Sequence, residues 1–177
     1  MRSLFLAIGL TSALAGCVTN LPPVLLMPKT VDSVSTPLVT SVFEVTSVTL
    51  QEGKVEPYLT AENFKIALEE TIKRANVFGS DTNKPYAVNA HVLEATFPAA
   101  GFTMSSALSV HYTVTNGAGR EVLKEDIRYE GTASISEEFL GSARGLLAFQ
   151  RAQQGHFSLF FDKLKQALKA EAARQIN

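Results

Sequence analysis

The fold follows from the stretch Phe102-Thr-Met-Ser-Ser-Ala-Leu-Ser-Val-His-Tyr-Thr-Val-Thr115, which runs directly into Asn116-Gly-Ala-Gly119. Apolar and polar side chains alternate along it, which predicts a β-strand with one face on the core and one face open. The inward row is Phe102, Met104, Leu108, Val110, Tyr112 and Val114, with Ser106 as its one polar member. The Asn-Gly sequence predicts a tight hairpin into the next strand.

The strand after this hairpin is predicted from Glu121 to Ala133. Its inward residues are expected to be Leu123, Ile127 and Tyr129, and its outward residues Lys124, Asp126, Arg128 and Glu130. Glu125 interrupts the inward row, which predicts either a β-bulge or an edge position.

Two more strands and a helix are predicted upstream. β-Branched residues dominate from Pro37 to Leu50 and favour a strand, and another strand is predicted from Tyr86 to Phe97, after a polar loop from Asp81 to Pro85. Between them, Thr60 can cap an amphipathic helix and Asn76 can end it. Helical spacing predicts its buried stripe: Phe64, Ala67, Leu68, Thr71, Ile72 and Ala75.

A long helix is predicted at the end of the chain, from about Ala143 to about Gln175. Gly155 costs about 1 kcal/mol relative to alanine inside a helix, and it predicts a kink or a boundary between two helices. The main stripe is Leu146, Phe149, Gln153, Phe157, Phe160, Leu164 and Leu168, with Phe161 and Ala167 beside it. The predicted order is therefore strand, helix, three strands and a long helix.

The first residues have the form of a secretory signal peptide. Arg2 supplies a positive start, an apolar run follows from Leu4 to Leu14, and the small residues Ala15 and Gly16 precede Cys17. The run is shorter than the roughly 20 apolar residues that span a bilayer. Leu14-Ala15-Gly16-Cys17 resembles the lipobox of bacterial lipoproteins. The resemblance implies that residues 1–16 are removed and that Cys17 becomes the lipid-acylated N-terminus.

Cys17, the one cysteine of the chain, has two other interpretations: a buried free thiol and one half of an intermolecular disulfide. Lipidation is preferred because the residue ends a signal-like segment. In lipobox proteins an aspartate after the cysteine directs retention in the inner membrane, whereas Val18-Thr19 stands here. The resemblance therefore implies a lipid anchor in the outer membrane, with the domain facing the periplasm.

Residues 17–36 are predicted to be a Pro-rich tether, and residues 37–177 a single domain. Pro22, Pro23 and Pro28 restrict the backbone of the tether. Within it, Val24-Leu25-Leu26-Met27 is too apolar for a free spacer. We expect this stretch to pack on the domain or to lie near the lipid; the alternative is a segment that docks a partner.

Charge and composition argue against two classes of function. Loss of Arg2 with the signal leaves 15 Lys and Arg against 17 Asp and Glu, a net charge of −2. A nucleic-acid-binding protein has a basic face instead. The chain has no tryptophan and four tyrosines, so a sugar-binding platform of stacked aromatic rings is not suggested.

His91 and His111 are predicted on neighbouring strands, both on the open face. A metal site needs a third and usually a fourth ligand, and none stands at a compatible spacing, so neither a metal nor a cofactor is predicted. His156 is expected on a helix surface, and Glu137-Glu138 suit the start of the long helix. The sequence contains no nucleophile elbow, phosphate-binding glycine loop or His-Glu-x-x-His, so no catalytic residue is predicted.

An aromatic cluster, Phe149, Phe157, Phe160 and Phe161, recurs at helical spacing. Most of it is expected in the core. However, a helix of about 32 residues runs about 48 Å, whereas a ten-residue strand runs about 33 Å. One end of the helix is therefore expected to overhang the sheet, which makes this cluster a candidate surface for a partner or a ligand.

The order of elements, after a lipobox and a Pro-rich tether, resembles small Gram-negative envelope lipoproteins: the YajG-like proteins and the PqiC-like auxiliary lipoproteins of envelope ABC transporters. The resemblance covers roughly residues 37–172 and rests on Phe64–Phe78, Phe139–Arg144 and Phe160–Leu164. It implies a two-layer α+β fold in the order β-α-β-β-β-α, in which two helices lie on one face of a mostly antiparallel four-stranded sheet.

The resemblance also implies binding or assembly without catalysis. The expected function is a lipid-anchored periplasmic binding or scaffold protein that supports an envelope transport or assembly complex, with an envelope protein as partner. The alternative is a small-ligand or lipid-binding module with a pocket between the long helix and the sheet. A filled core with a bare sheet edge favours the first hypothesis, and a cavity lined by Phe157, Phe160, Leu108 and Val110 favours the second. A buried cluster of His, Asp or Glu would favour an enzyme.

Overall fold

The computed structural model describes residues 22–98 and 100–176. Its elements are α1 (Pro23–Leu26), β1 (Val39–Leu50), α2 (Ala61–Ala75), β2 (Phe78–Ala95), β3 (Thr103–Thr115), β4 (Glu121–Ser134) and α3 (Gly141–Ile176). None of the described helices is long and apolar enough to cross a bilayer.

The four strands form one mixed sheet in the order β1-β2-β3-β4. β1 and β2 are parallel because α2 returns the chain to the same end of the sheet, and the two remaining pairs are antiparallel. Helices α2 and α3 cover one face. The predicted α+β class and the placement of both helices on one face are therefore confirmed.

Local signals in the sequence determine the limits of α2. The Thr60 hydroxyl accepts a hydrogen bond from the backbone N–H of Asn63 at 3.1 Å, which satisfies a free donor of the first turn. Asn76 ends the helix in the left-handed conformation, with φ 54°. All six residues of the predicted stripe are buried against the sheet.

β2 begins earlier than predicted and contains the polar stretch that was expected to be a loop. Two steps along β1, from Ser41 to Phe43, correspond to five along β2, from Asp81 to Tyr86. The exposed residues between Asp81 and Tyr86 therefore bulge out of an otherwise paired strand. The predicted loop is wrong as a boundary between elements, although its residues are exposed as its polarity suggests.

The inward row of β3 is confirmed from Met104 to Val114 but not at Phe102, which precedes the strand and is largely exposed. Ser106 is buried and donates its hydroxyl to the carbonyl of Thr96. On β4, Tyr129 is more exposed than predicted. The pairing of β4 runs without a shift past Glu125, so the edge position, and not a bulge, accounts for that polar residue.

α3 is continuous through Gly155, so the predicted boundary between two helices at this residue is wrong. A side chain at this position would collide with the ring of Tyr129 on β4. Gly131 has the same role from the sheet, since a Cβ there would collide with the α3 backbone at Ala148 and Ala152. The two glycines allow helix and sheet to approach closely.

The described part of the predicted tether packs on the domain. Leu26 and Met27 are buried in the core. Farther along, the N–H of Val34 donates to the carbonyl of Ala75 at 3.1 Å, and the N–H of Leu38 donates to Val77 at 2.9 Å. Among the alternatives for the apolar stretch, the structure shows packing on the domain, and residues 24–38 are not a free spacer.

Candidate functional site

The four candidate phenylalanines are not on the surface. Phe149, Phe157, Phe160 and Phe161 are all buried in the core. Phe157 stacks on Phe64 of α2 with ring centroids 5.3 Å apart, and Phe160 stacks on Tyr112 at 4.0 Å. Because their spacing matches the stripe that faces the sheet and α2, their prediction as a partner or ligand surface is wrong.

The space between α3 and the inner strand β3 is filled, whereas two grooves lie between α3 and the edge strand β4. Leu108, Val110, Phe157 and Phe160 are each fully buried, and they line neither of these two grooves. The arrangement that would have supported a ligand pocket at this place is therefore not what the structure shows.

His156 is buried in the core, which corrects its prediction as a surface residue. Its Nε2 lies 3.1 Å from the hydroxyl of Tyr112. Burial lowers the pKa of His156 to about 3, an effect that the Leu108 backbone partly offsets, and burial raises the pKa of Tyr112. The pair is therefore neutral at physiological pH, and it holds β3 to α3.

His91 and His111 are direct cross-strand neighbours on the open face of the sheet. Each ring bonds to a residue of a different edge strand. His91 Nδ1 lies 2.7 Å from the hydroxyl of Thr49 on β1, and His111 Nδ1 lies 2.5 Å from Oδ1 of Asp126 on β4. Within residues 22–98 and 100–176, no group of three or more His, Cys, Asp or Glu side chains could hold a metal ion. The row is a hydrogen-bonded strip across a polar face.

Glu137 and Glu138 organise the connector before α3. Glu137 accepts from Arg151 at 2.7 Å and from the Ser134 N–H at 3.0 Å. These bonds lower the pKa of Glu137 to about 2, so it stays charged. Glu138 accepts from the N–H of Leu140 at 3.1 Å. Both carboxylates thus act on the connector itself.

The two edge strands of the sheet differ in charge. β4 carries Glu121, Lys124, Glu125, Asp126, Arg128 and Glu130, whereas Glu44 is the one charged residue of β1. Charges along an edge discourage pairing with another chain. In the described part of the molecule no strand pairs with the outer edge of β1. This edge combines free backbone groups with a sequence that does not repel a further strand.

A groove of about 500 Å³ lies beside this edge, between β1 and α2. Its large apolar residues are Val42, Phe43, Val45, Ile72 and Phe78. The floor is firmly packed, since the ring of Phe78 lies 5.3 Å from Phe43 and 5.3 Å from Tyr86. An apolar groove next to an open strand can receive alternate side chains of an added strand.

The rim of the groove is formed by charged residues of α2. Lys65 lies 3.8 Å from Glu69, and Lys73 lies 2.7 Å from Glu70. Both are exposed pairs of opposite charge, which stabilise a helix only weakly. They leave the groove without a dominant charge, so an occupant is selected mainly by its backbone and its apolar side chains. We call the β1 edge and this groove the β1 site.

The β1 site was only partly foreseen from the sequence. The strand and the helix were both predicted, but their adjacency at a free edge depends on strand order, which local patterns do not encode. The contrast in charge between β1 and β4 was the available signal. The predicted lipidation site, Cys17 with Leu14, Ala15 and Gly16, lies outside the described residues.

Comparison with known proteins finds similarity in structure but not in sequence. No family model matches the chain, and no curated protein matches it significantly. A protein of Xanthomonas campestris from the family DUF330 is similar, with a TM-score of 0.65, 9% identity, and 83% of this chain and 96% of that chain covered. A hypothetical protein of Chlamydia trachomatis has a TM-score of 0.52, 11% identity, and coverage of 74% and 99%.

A minor lipoprotein of Acinetobacter baumannii is also among the similar structures, with a TM-score of 0.40, 12% identity, and coverage of 73% and 94%. Similarities at such low identity concern the fold alone. The Xanthomonas and Chlamydia structures agree with the described two-layer arrangement, and these similarities assign no activity to the β1 site.

Proposed function

We propose that this protein is a lipid-anchored binding or scaffold lipoprotein of the cell envelope, which holds a protein partner of a transport or assembly complex. The observation that carries the proposal is the β1 site: an unpaired and almost uncharged strand edge beside an apolar groove. The packing of the core supports the same choice, because the four residues expected to line a ligand pocket are fully buried and line neither of the grooves between α3 and β4. Binding, without catalysis, is the proposed activity.

The proposed anchor is a lipid on Cys17, in the outer membrane and facing the periplasm. The lipobox-like Leu14-Ala15-Gly16-Cys17 and the absence of aspartate after it support this proposal. The finer proposal, a role like that of the YajG-like or PqiC-like lipoproteins, rests on the resemblance of the element order and of three short segments.

The proposed binding mode is strand addition. A segment of the partner would extend along β1, exchange backbone hydrogen bonds with its free edge and place alternate apolar side chains over Phe43 and Val45. Main-chain bonds would supply affinity, and the shape of the groove would supply selectivity.

Site-specific crosslinking in cells tests this proposal. A photoreactive residue replaces Val42, which lines the groove, and in a matched chain it replaces Val122, a partly buried valine on the opposite edge strand. We expect one envelope protein to be captured from position 42 and not from position 122. Capture should be lost with Cys17→Ser, if anchoring brings the partners together.

A second arm tests the edge itself. With the photoreactive residue at Thr46, on β1, Val42→Lys places a charge beside the docking strand and should abolish capture, whereas Val122→Lys should not. Capture that survives Val42→Lys, or that occurs only from β4, would contradict the β1 site. A copurifying lipid or small molecule, with no protein captured, would contradict the scaffold function.

A further inference from the structure

Four exposed apolar side chains meet at the end of the domain where α3 begins. Phe102 is 80% exposed, Phe139 79%, Leu140 64% and Ile135 39%. Phe102 belongs to the connector between β2 and β3, and the other three belong to the connector between β4 and α3. The connectors are adjacent, because the N–H of Ile135 donates to the carbonyl of Phe102 at 2.8 Å. We call these four residues the apolar tip.

The apolar tip is held in place by a buried cation. Arg144 is nearly inaccessible to solvent. Its Nη1 donates to the carbonyls of Glu138 at 2.8 Å and Phe139 at 3.1 Å, and its Nη2 donates to the carbonyl of Gly101 at 2.7 Å. A charged donor that bonds to three loop carbonyls fixes those loops. The exposed rings are therefore displayed on a fixed support.

The N-terminal segment passes close to the same connector. Pro28 and Thr30 line a groove together with Arg151, and Arg151 binds Glu137, two residues before Phe139. Upstream of Pro28, the described chain begins at Pro22, five residues after Cys17. Five residues reach at most about 17 Å.

The inference that follows rests on the proposed lipidation of Cys17. Because residues 24–38 pack on the domain, an acylated Cys17 would keep the domain at the bilayer instead of releasing it on a long tether. We infer that the apolar tip inserts into the lipid bilayer that carries the anchor. Exposed aromatic and leucine side chains are suited to the interface of a bilayer.

The charges near the apolar tip indicate whether insertion depends on anionic lipid. Glu137 is paired with Arg151, and Glu138 accepts a backbone N–H. The Arg144 guanidinium is buried below the loops. No basic cluster of the sort that attracts anionic lipid accompanies the four side chains among these described residues, so insertion should be apolar in origin and insensitive to salt and to anionic lipid.

The experiment uses the absence of tryptophan from the sequence. Phe139→Trp places a single tryptophan, which can be excited selectively, in the apolar tip, and Ile66→Trp places one at a partly exposed position of α2 as a control. The acylated full-length mature chain is reconstituted in vesicles of phosphatidylethanolamine and phosphatidylcholine, with and without brominated acyl chains. We expect a blue shift and quenching by bromine for Phe139→Trp, and neither for Ile66→Trp.

Several outcomes would overturn the inference. If the chain is anchored to the vesicles and the tryptophan of Phe139→Trp keeps the emission maximum that it has in water, insertion is excluded. A shift that occurs only when an envelope protein is added, and not with lipid, assigns the apolar tip to a protein partner instead.

Mass spectrometry of Cys17 shows whether the residue carries a lipid, and so separates a failure of the proposed lipidation from a failure of the apolar tip to insert. If that residue is unmodified, the same reporter in a Cys17→Ser chain, mixed with concentrated vesicles, decides the inference: quenching supports insertion, and its absence overturns it.

Discussion

The hydroxyl of Tyr112 lies 3.1 Å from Nε2 of His156, and both side chains are buried between β3 and α3. Burial keeps the tyrosine protonated and the imidazole neutral, so neither member of the pair carries a charge. The bond joins a strand and a helix that are 44 residues apart in sequence.

The neutral state of His156 makes stability depend on pH. Its pKa is about 3 in the folded protein, against 6.5 as its ordinary value. A proton therefore binds the unfolded chain first, so the contribution of His156 is fully present above pH 6.5 and is lost as pH falls toward 3. At pH 5 the free energy of unfolding should be lower by roughly 2 kcal/mol from this residue alone.

Chemical denaturation at pH 7 and pH 5 measures this loss. His156→Gln should reduce the difference between the free energies of unfolding at pH 7 and pH 5, whatever the effect of the substitution on stability at pH 7. An unchanged difference in His156→Gln would show that another group carries the pH dependence. His91→Gln, at an exposed histidine, serves as the control.

Gln153 should be a site where an apolar residue is preferred. Its side chain is fully buried, and within the described residues neither its amide nitrogen nor its amide oxygen has a hydrogen-bond partner. An unpaired buried amide costs about 1–3 kcal/mol. We expect Gln153→Met to raise the free energy of unfolding by about 1 kcal/mol or more, as measured by urea denaturation.

The adjacent Gln154 provides the control, because it lies at a partly exposed position of the same helix. Gln154→Met should change stability by less than about 0.5 kcal/mol. A loss of stability in Gln153→Met alone would mean that the buried amide is satisfied, for instance by an internal water.

The accuracy of the sequence predictions follows from how local each signal is. The cap, stripe and stop of α2 lie within 17 residues, from Thr60 to Asn76, and all three were predicted. His156 follows Gln153 by three residues and precedes Phe160 by four, so helical spacing placed it on the buried face. Its polarity led to the wrong prediction, since its partner on β3 is remote in sequence.

The candidate sites were harder to predict for a related reason. Phe102 is an apolar residue that sequence patterns place in the core, yet it is exposed. Its position depends on the connector at Gly101, which Arg144 joins to the connector at Phe139, and a local pattern does not encode this contact. The free edge of β1 likewise depends on strand order. The β1 site exists because no further strand pairs with β1 among the described residues. Which strands pair is set by contacts between residues far apart in the chain, and local sequence patterns do not specify these contacts.

The close approach of α3 to β4 predicts unequal effects for two glycine substitutions. Gly131→Ala would place a methyl group against backbone atoms of α3, which cannot move without displacing the helix. Gly155→Ala meets the ring of Tyr129, which is partly exposed and can turn aside. Overpacking costs typically 1–3 kcal/mol, so Gly131→Ala should be the more destabilising by at least about 1 kcal/mol.

Thermal or chemical denaturation of both variants tests this order. Tyr129→Ala should rescue any loss in Gly155→Ala, because it removes the colliding ring, and should not rescue Gly131→Ala. Equal losses in the two variants would indicate that Tyr129 is as rigid as the helix backbone.

Arg144 should control the order of the apolar tip. Arg144→Met keeps much of the buried volume but removes the donors to Gly101, Glu138 and Phe139. We expect faster hydrogen exchange in residues 135–140 with little change in the strands, because local opening becomes easier. Arg151→Met, which removes the bond to Glu137, is the matched control and should affect the same connector less. Uniformly faster exchange across the domain would indicate global destabilisation instead.

If the β1 site docks a partner, Val42→Lys should abolish binding while leaving the stability of the domain nearly unchanged. Val42 lies partly exposed on an edge strand, where a lysine can extend its charged group into water while its methylenes cover the groove. Val42→Lys should therefore cost less than about 1 kcal/mol of stability, similar to Val122→Lys on the other edge. Urea denaturation of both variants establishes this equality before the crosslinking experiment. If Val42→Lys unfolds the domain, the edge of β1 is more buried than the structure shows, and a docking role for it is ruled out.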